Sequence, residues 1–99
     1  MKIIERSIEP GKWRYGFARD LPGHFIAGVF IKGLRNRPWP LWQVGVEEFK
    51  QRFPHDTDTD RPPAVVCGTP SMWMQQGTNV YLWPAPTDGW TLQVRMMEK

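Results

Sequence analysis

Residues 79–96 constrain this chain more than any other stretch. Asn79-Val80-Tyr81-Leu82-Trp83 runs into the corner Pro84-Ala85-Pro86-Thr87-Asp88-Gly89, and Trp90-Thr91-Leu92-Gln93-Val94-Arg95-Met96 follows. In the second segment Trp90, Leu92, Val94 and Met96 fall on one face and Thr91, Gln93 and Arg95 on the other. That is the period of a half-buried antiparallel strand. Two strands joined by a proline-stiffened corner pack a sheet and leave no room for a reactive group between them. The chain therefore reads as a structural module before it reads as an enzyme.

The rest of the sequence extends the β reading. Ile3, Ile4 and Ile8 lead to Pro10-Gly11, after which Trp13, Tyr15 and Phe17 alternate with Lys12, Arg14 and Gly16, so a hairpin-like pair turning at Pro10-Gly11 is expected. Leu21-Pro22-Gly23 breaks that pattern. The apolar run Phe25 to Ile31 is rich in β formers and too short for a lone helix, which predicts a central strand. Gly33 to Arg37 reads as a turn exposing Arg35 and Arg37. Trp39 to Val44 reads as a strand interrupted by Pro40, which lacks a ladder donor and so belongs at an edge.

A single helix is expected over Val46–Phe53, where Val46, Phe49 and Phe53 share a stripe. Glu47 and Glu48 open it and Lys50 and Arg52 close it, in keeping with the helix dipole, and Pro54 stops it. His55 to Asp60 reads as a polar mobile loop. Short strands are then expected at Ala64–Cys67, Met72–Met74, Asn79–Trp83 and Trp90–Met96, with glycine in the connections Gln76-Gly77 and Asp88-Gly89. The fold class is mainly β (α+β): an antiparallel meander forming a small sandwich or barrel-like sheet with one short helix. At 99 residues the chain is read as one domain, 1–99, able to bury about 60–68% of its unfolded surface. Six tryptophans, five phenylalanines and two tyrosines supply most of the apolar area.

Familiar reactive constellations are not legible. A lone cysteine, Cys67, permits no internal disulfide, and beside Val65, Val66 and Gly68 it reads as a small buried thiol. Asp56, Asp58 and Asp60 open like a calcium loop, but Arg61 and Cys67 stand where that pattern needs glycine and glutamate, so a solvated acidic loop is expected. His24 and His55 have no ligand or nucleophile at useful spacing. Glu47 and Glu48 face different directions on a helix. No catalytic, cofactor-binding or metal site is expected, and no cofactor. The N-terminus carries no apolar segment of signal-peptide or membrane-span length, so export and membrane insertion are not expected.

Charge and aromatic content point to binding. A net charge of +3 without a long run of like charge permits nucleic acid and does not demand it. Lys12, Trp13, Arg14 and Tyr15 interleave cations with rings, as in small barrels that stack single-stranded bases; the same alternation also describes an amphipathic strand with rings inward. Trp42, Trp73 and Trp83 are more than so small a core readily holds, so some aromatic surface is expected to stay exposed and mark a partner interface.

The order of motifs along the chain resembles the β-rich part of tailed-bacteriophage head-tail adaptor (connector or tail-accessory) proteins. The matching residues are Leu21-Pro22-Gly23-His24-Phe25, Val44-Gly45-Val46-Glu47-Glu48-Phe49, Arg61-Pro62, and Tyr81-Leu82-Trp83-Pro84-Ala85-Pro86 with Trp90-Thr91-Leu92-Gln93-Val94. They cover roughly residues 21–97. The chain departs from that pattern in having one short helix and in ending its last strand with Met96-Met97. The resemblance implies a non-enzymatic phage or prophage structural protein, found in the virion or in the host cytoplasm during assembly, that contacts portal or tail proteins and self-associates, ring formation included. Arg35, Arg37, Trp39 and Trp42 are the expected interface residues, since arginine and tryptophan are enriched at hot spots. A small β-barrel binding single-stranded nucleic acid through Lys12, Trp13, Arg14 and Tyr15 is the alternative.

Overall fold

In the computed structural model, residues 1–33, 37–52 and 67–99 are described. Their arrangement is mainly β, a small sandwich with one short helix. The first sheet contains β1 (Lys2–Ser7), β3 (His24–Lys32), β4 (Trp39–Pro40) and β10 (Thr91–Glu98), in the order β1-β10-β3-β4. The second contains β2 (Arg14–Gly16), β5 (Trp42–Gln43), β7 (Met72–Gln76) and β8 (Asn79–Trp83), in the order β2-β8-β7-β5. A small parallel pair joins β6 (Cys67–Gly68) to β9 (Ala85–Pro86).

Alternation decides which side chains meet. On β10, Leu92, Val94 and Met96 are fully buried. Directly opposite them on β3 stand Ile31, Val29 and Ile26, all buried too. These residues meet Tyr15, Trp73, Val80 and Leu82 of the second sheet in one core between the two layers. The opposite face of the second sheet sends Met74, Tyr81 and Trp83 into a second core, closed by Trp13 and by Phe49 of α1 (Val46–Arg52). The second sheet is thus covered on both faces, by the first sheet on one side and by α1 on the other.

The helix starts as the sequence implies: Phe49 N–H donates to Gly45 O at 2.9 Å, and Glu47 and Glu48 occupy the first turn, where carboxylates offset the helix dipole by about 0.3–1 kcal/mol each. Its apolar residue Phe49 is fully buried. Phe53, the Asp56–Asp60 loop, His55 and Arg61-Pro62-Pro63 lie outside the described residues, as does the Cys67 side chain.

Three connections differ from expectation. The turn at Pro10-Gly11 is present, with Gly11 at φ 83° and Lys12 N–H donating to Glu9 O, but it does not make a hairpin. β1 pairs with β10, in the register Lys2↔Met96 to Ser7↔Thr91, and β2 pairs with β8. The turn carries the chain from one sheet to the other because Ile8 and Phe17 are both needed in the core between them. Likewise β8 and β10 are not neighbours: the corner, with its cis Trp83–Pro84 peptide, moves the chain between layers. Among the described strands two consecutive pairs are antiparallel neighbours, β3 with β4 and β7 with β8, the latter turning around Gly77 at φ 61°, a left-handed conformation that glycine adopts without cost. Third, the strand expected over Trp39–Val44 is divided. Leu41 N–H donates to Val29 O of the first sheet and Trp42 N–H to Ser71 O beside the second. β4 and β5 therefore end different sheets, with Leu41 buried at the crossing. The edge position expected of the Pro40 segment holds for both halves.

Candidate interaction surface

The division at Leu41 sets the directions of the two tryptophans. Trp39 lies opposite Ile31, whose side chain is in the core between the sheets, and its ring meets Trp90 edge-on at 5.6 Å. It is half-buried. Trp42 lies opposite Met72, on the α1 side of the second sheet, and remains 79% exposed. Trp73 and Trp83 are both buried, so of the three tryptophans expected to exceed the core it is Trp42 that stays exposed. Arg37 is exposed two residues before β4, and Arg35 is outside the described residues. Of the four expected interface residues, the structure puts Trp39 and Trp42 on consecutive short edge strands but on different sheets.

Beside Trp42 lies a cleft of about 420 Å³ lined by Trp42, Gln43, Val44, Glu48, Ser71 and Met72. A second hollow of about 270 Å³, formed by Pro40, Leu41, Trp42 and Gln43, shares the same tryptophan. Val44 and Met72 pack on the second core and form an apolar floor. Glu48 comes from the first turn of α1. It was legible as a helix-start residue; its place in the cleft depends on α1 packing over β7 and left no mark in the sequence. Ser71 and Met72 lie far from Trp42 in sequence and are brought there by the parallel pairing of β5 with β7.

The backbone adds to this surface. Trp42 N–H and Val44 N–H both donate toward β7, to Ser71 O and Trp73 O. In a parallel ladder the residue between them turns its own N–H and C=O the other way. Gln43 therefore directs one donor and one acceptor to the open side of β5, which is the last strand of its sheet.

The basic and aromatic residues at 12–15 form a different arrangement. Trp13 is fully buried in the second core and Tyr15 is buried in the first. The Tyr15 hydroxyl donates to Lys12 O at 3.1 Å and accepts from Glu9 N–H at 3.2 Å, and the Lys12 ammonium lies 5.2 Å from the Tyr15 ring centre. These rings hold the corner between the sheets and offer no face on which bases can stack.

A further patch lies on the outer face of the first sheet, where Ile3, Phe25 and Met97 are 41–49% exposed. Next to it Lys32 meets Glu5 at 3.5 Å, Gln93 donates to Glu5, Arg95 donates to Gln93, and the Arg95 guanidinium sits 4.0 Å from the Phe30 ring centre. Among the described residues no group of His, Cys, Asp or Glu is placed to hold a metal ion, and His24 Nδ1 is engaged with Pro22 O at 3.1 Å.

Compared with family models, with curated proteins and with solved structures, the chain matches none. The reading of the surface therefore stands on its geometry. One consequence concerns Trp42 directly: with four-fifths of its area in water, Trp42→Ala is expected to change unfolding free energy by no more than about 0.5 kcal/mol. Trp73→Ala, at a buried position, is expected to cost about 3–5 kcal/mol. Urea unfolding of both variants checks the contrast.

Proposed function

We propose that this chain is a non-enzymatic structural component of a tailed-phage or prophage particle, a head-tail adaptor-like assembly protein that works through protein–protein contacts with portal or tail proteins and with copies of itself. The observation that carries this reading is Trp42: a large ring held 79% exposed on a terminal strand, flanked by two hollows. Exposed tryptophan is costly to hydrate and is enriched among the residues that dominate interfaces, and the adjoining strand edge can accept a neighbour's backbone. The two closed cores support the same reading, since Trp13, Tyr15, Phe17, Phe49, Trp73, Tyr81 and Trp83 are all spent on packing. Self-association through one edge and a different surface of the next copy is heterologous, and such contacts close into a ring when the rotation permits.

Mass spectrometry of particles released by inducing the cells that carry this sequence tests the proposal. Peptides of this chain are expected in stoichiometric proportion to portal and tail proteins. Well-formed particles that lack them would overturn it.

A further inference from the structure

The geometry points to β1 as an edge that pairs with itself: two copies of this chain join antiparallel through β1 about a two-fold axis at Ile3, and their first sheets become one continuous sheet. The contact uses a different edge from β5 and goes beyond the assembly reading above.

Hydrogen-bond parity decides what this edge offers. Ile8 N–H donates to Trp90 O, and the pairing runs without a break from Ser7↔Thr91 to Lys2↔Met96. Bonded pairs alternate in an antiparallel ladder, so Arg6, Ile4 and Lys2 turn their backbone groups to β10 while Ile3, Glu5 and Ser7 turn theirs outward. The far side of β10 agrees: Lys99 N–H donates to Gly23 O, just before β3, which assigns the odd-numbered residues of β10 to β3 and the even-numbered ones to β1. Among the described strands β1 ends its sheet, and Ile3, Glu5 and Ser7 are exposed. The other sheet ends, β2, β4 and β5, have two or three residues each, whereas β1 has six. Short edge strands and free charges are what keep edges from pairing. β1 is long, and its charges are held within the chain: Lys2 and Arg6 by Asp20 at 3.4 and 3.5 Å, and Glu5 by Lys32 at 3.5 Å.

The order of charges along β1 names the occupant and the register. A two-fold axis between two residues would set outward-turned backbone groups against inward-turned ones, so the axis must fall on a residue. Centred on Lys2, Glu5 or Arg6 it sets that charge against itself; centred on Ile4 it sets Lys2 against Arg6, and centred on Ser7 it sets Glu5 against Glu9. Like charges directly opposed across strands are destabilising. Ile3 alone is left. There Ile3 meets Ile3, Lys2 meets Ile4 and Glu5 meets Met1, and the central pair exchanges two backbone bonds while its side chains, 49% exposed in the single chain, come into contact. The exposed apolar patch of Ile3, Phe25 and Met97 is thereby brought beside its counterpart. β1 is complementary to itself, which is what an isologous contact requires.

A contact over Met1–Glu5 buries less than the roughly 1,200 Å² of a stable interface, so a weak dimer with a Kd of about 0.1–1 mM is expected. Sedimentation equilibrium of the full chain from about 20 µM to 2 mM should show it. Ile3→Pro removes an N–H that no bond to β10 uses, so the monomer should fold and the association disappear. Ile3→Cys should give a covalent dimer under mild oxidation, because the Cα atoms of a bonded antiparallel pair lie about 5.5 Å apart, within disulfide reach; peptide mass spectrometry distinguishes a link between the two introduced thiols from one through Cys67. Glu5→Cys and Ser7→Cys should form no such link. These three positions are exposed, so the cysteine variants decide whether or not Ile3→Pro folds. A monomer at every concentration, undiminished association of a folded Ile3→Pro, or linkage at position 5 or 7 and not at 3 overturns the inference. A dimer formed by a chain that particles lack leaves this inference standing and removes the assembly reading; a monomeric chain found in particles does the reverse.

Discussion

Trp13→Ala is expected to lower the unfolding free energy by about 3–5 kcal/mol, a large part of the roughly 5–15 kcal/mol that holds a domain of this size. Trp13 is fully buried and its ring is 5.7 Å from Tyr81, 5.9 Å from Trp83 and 6.0 Å from Phe49, while Phe49 in turn lies 6.4 Å from Tyr81 and 6.2 Å from Trp83. Each ring is fixed by a different constraint: Tyr81 and Trp83 by the β7–β8 ladder, Phe49 by α1, and Trp13 by the bond from Leu82 N–H to its carbonyl at 2.9 Å. Walls held this way cannot close over the void, so the cavity cost adds in full to the lost transfer energy. Trp13→Phe, which keeps a ring in place, should recover about half of the loss. The readout is a thermal or urea transition, with the midpoint of Trp13→Ala falling by about 12–30 °C. A loss below about 1.5 kcal/mol would mean that the second core collapses freely and that α1 is not held by these rings.

The Trp13 result also bears on what the sequence could and could not disclose. The interleaving of Lys12, Trp13, Arg14 and Tyr15 fits a base-stacking platform and an inward-facing strand equally well, because alternation records which side chains share a face and not whether that face is covered. Burial of both rings decides it. Leu92, Val94 and Met96 were legible as an inward stripe for the opposite reason: there the polar partners Thr91, Gln93 and Arg95 make the alternation complete. Strand pairing was the least legible feature. The match of Lys2 to Met96 joins opposite ends of the chain, and pairing between distant residues has no local signature, whereas Pro10-Gly11 gives a strong local one and suggested a hairpin. Edge status at Pro40 was readable from a missing N–H, but the change of sheet at Leu41 was not. At the site, surplus tryptophan foretold an exposed ring, while Glu48 and Met72 became its neighbours through tertiary packing alone.

Two single-residue deletions are expected to give opposite outcomes, and the larger is the loss of Gln93. β10 pairs on both sides, with β1 and with β3, and its fully buried apolar residues Leu92, Val94 and Met96 alternate along it. Removing one residue from a strand moves every side chain beyond the gap to the other face. Deleting Gln93 forces either Leu92, or Val94 and Met96, out of the core and carries Thr91 or Arg95 into it. Burying an unpaired guanidinium or exposing fully buried aliphatic side chains costs more than about 5 kcal/mol, and no folded population is expected by circular dichroism or by dispersion of the ¹H–¹⁵N spectrum. Deletion of Ala27, in the middle of the equally central β3, is expected to be tolerated within about 2 kcal/mol. The register explains the difference: Arg95 pairs with Gly28 and Met96 with Ile26, so Ala27 is the extra residue of a bulge and opposes nothing. Ile26 and Val29 both face the core across it. Without Ala27 they become second neighbours with Gly28 between them, which is the ordinary alternation of a regular strand. The apolar run Phe25–Ile31 thus carries one residue more than its pairing needs, a surplus hidden in the sequence because all seven residues are apolar or small. If deleting Ala27 unfolds the chain as Gln93 deletion does, the bulge supplies twist that the two sheets require to stay packed, and parity alone does not govern the central strand.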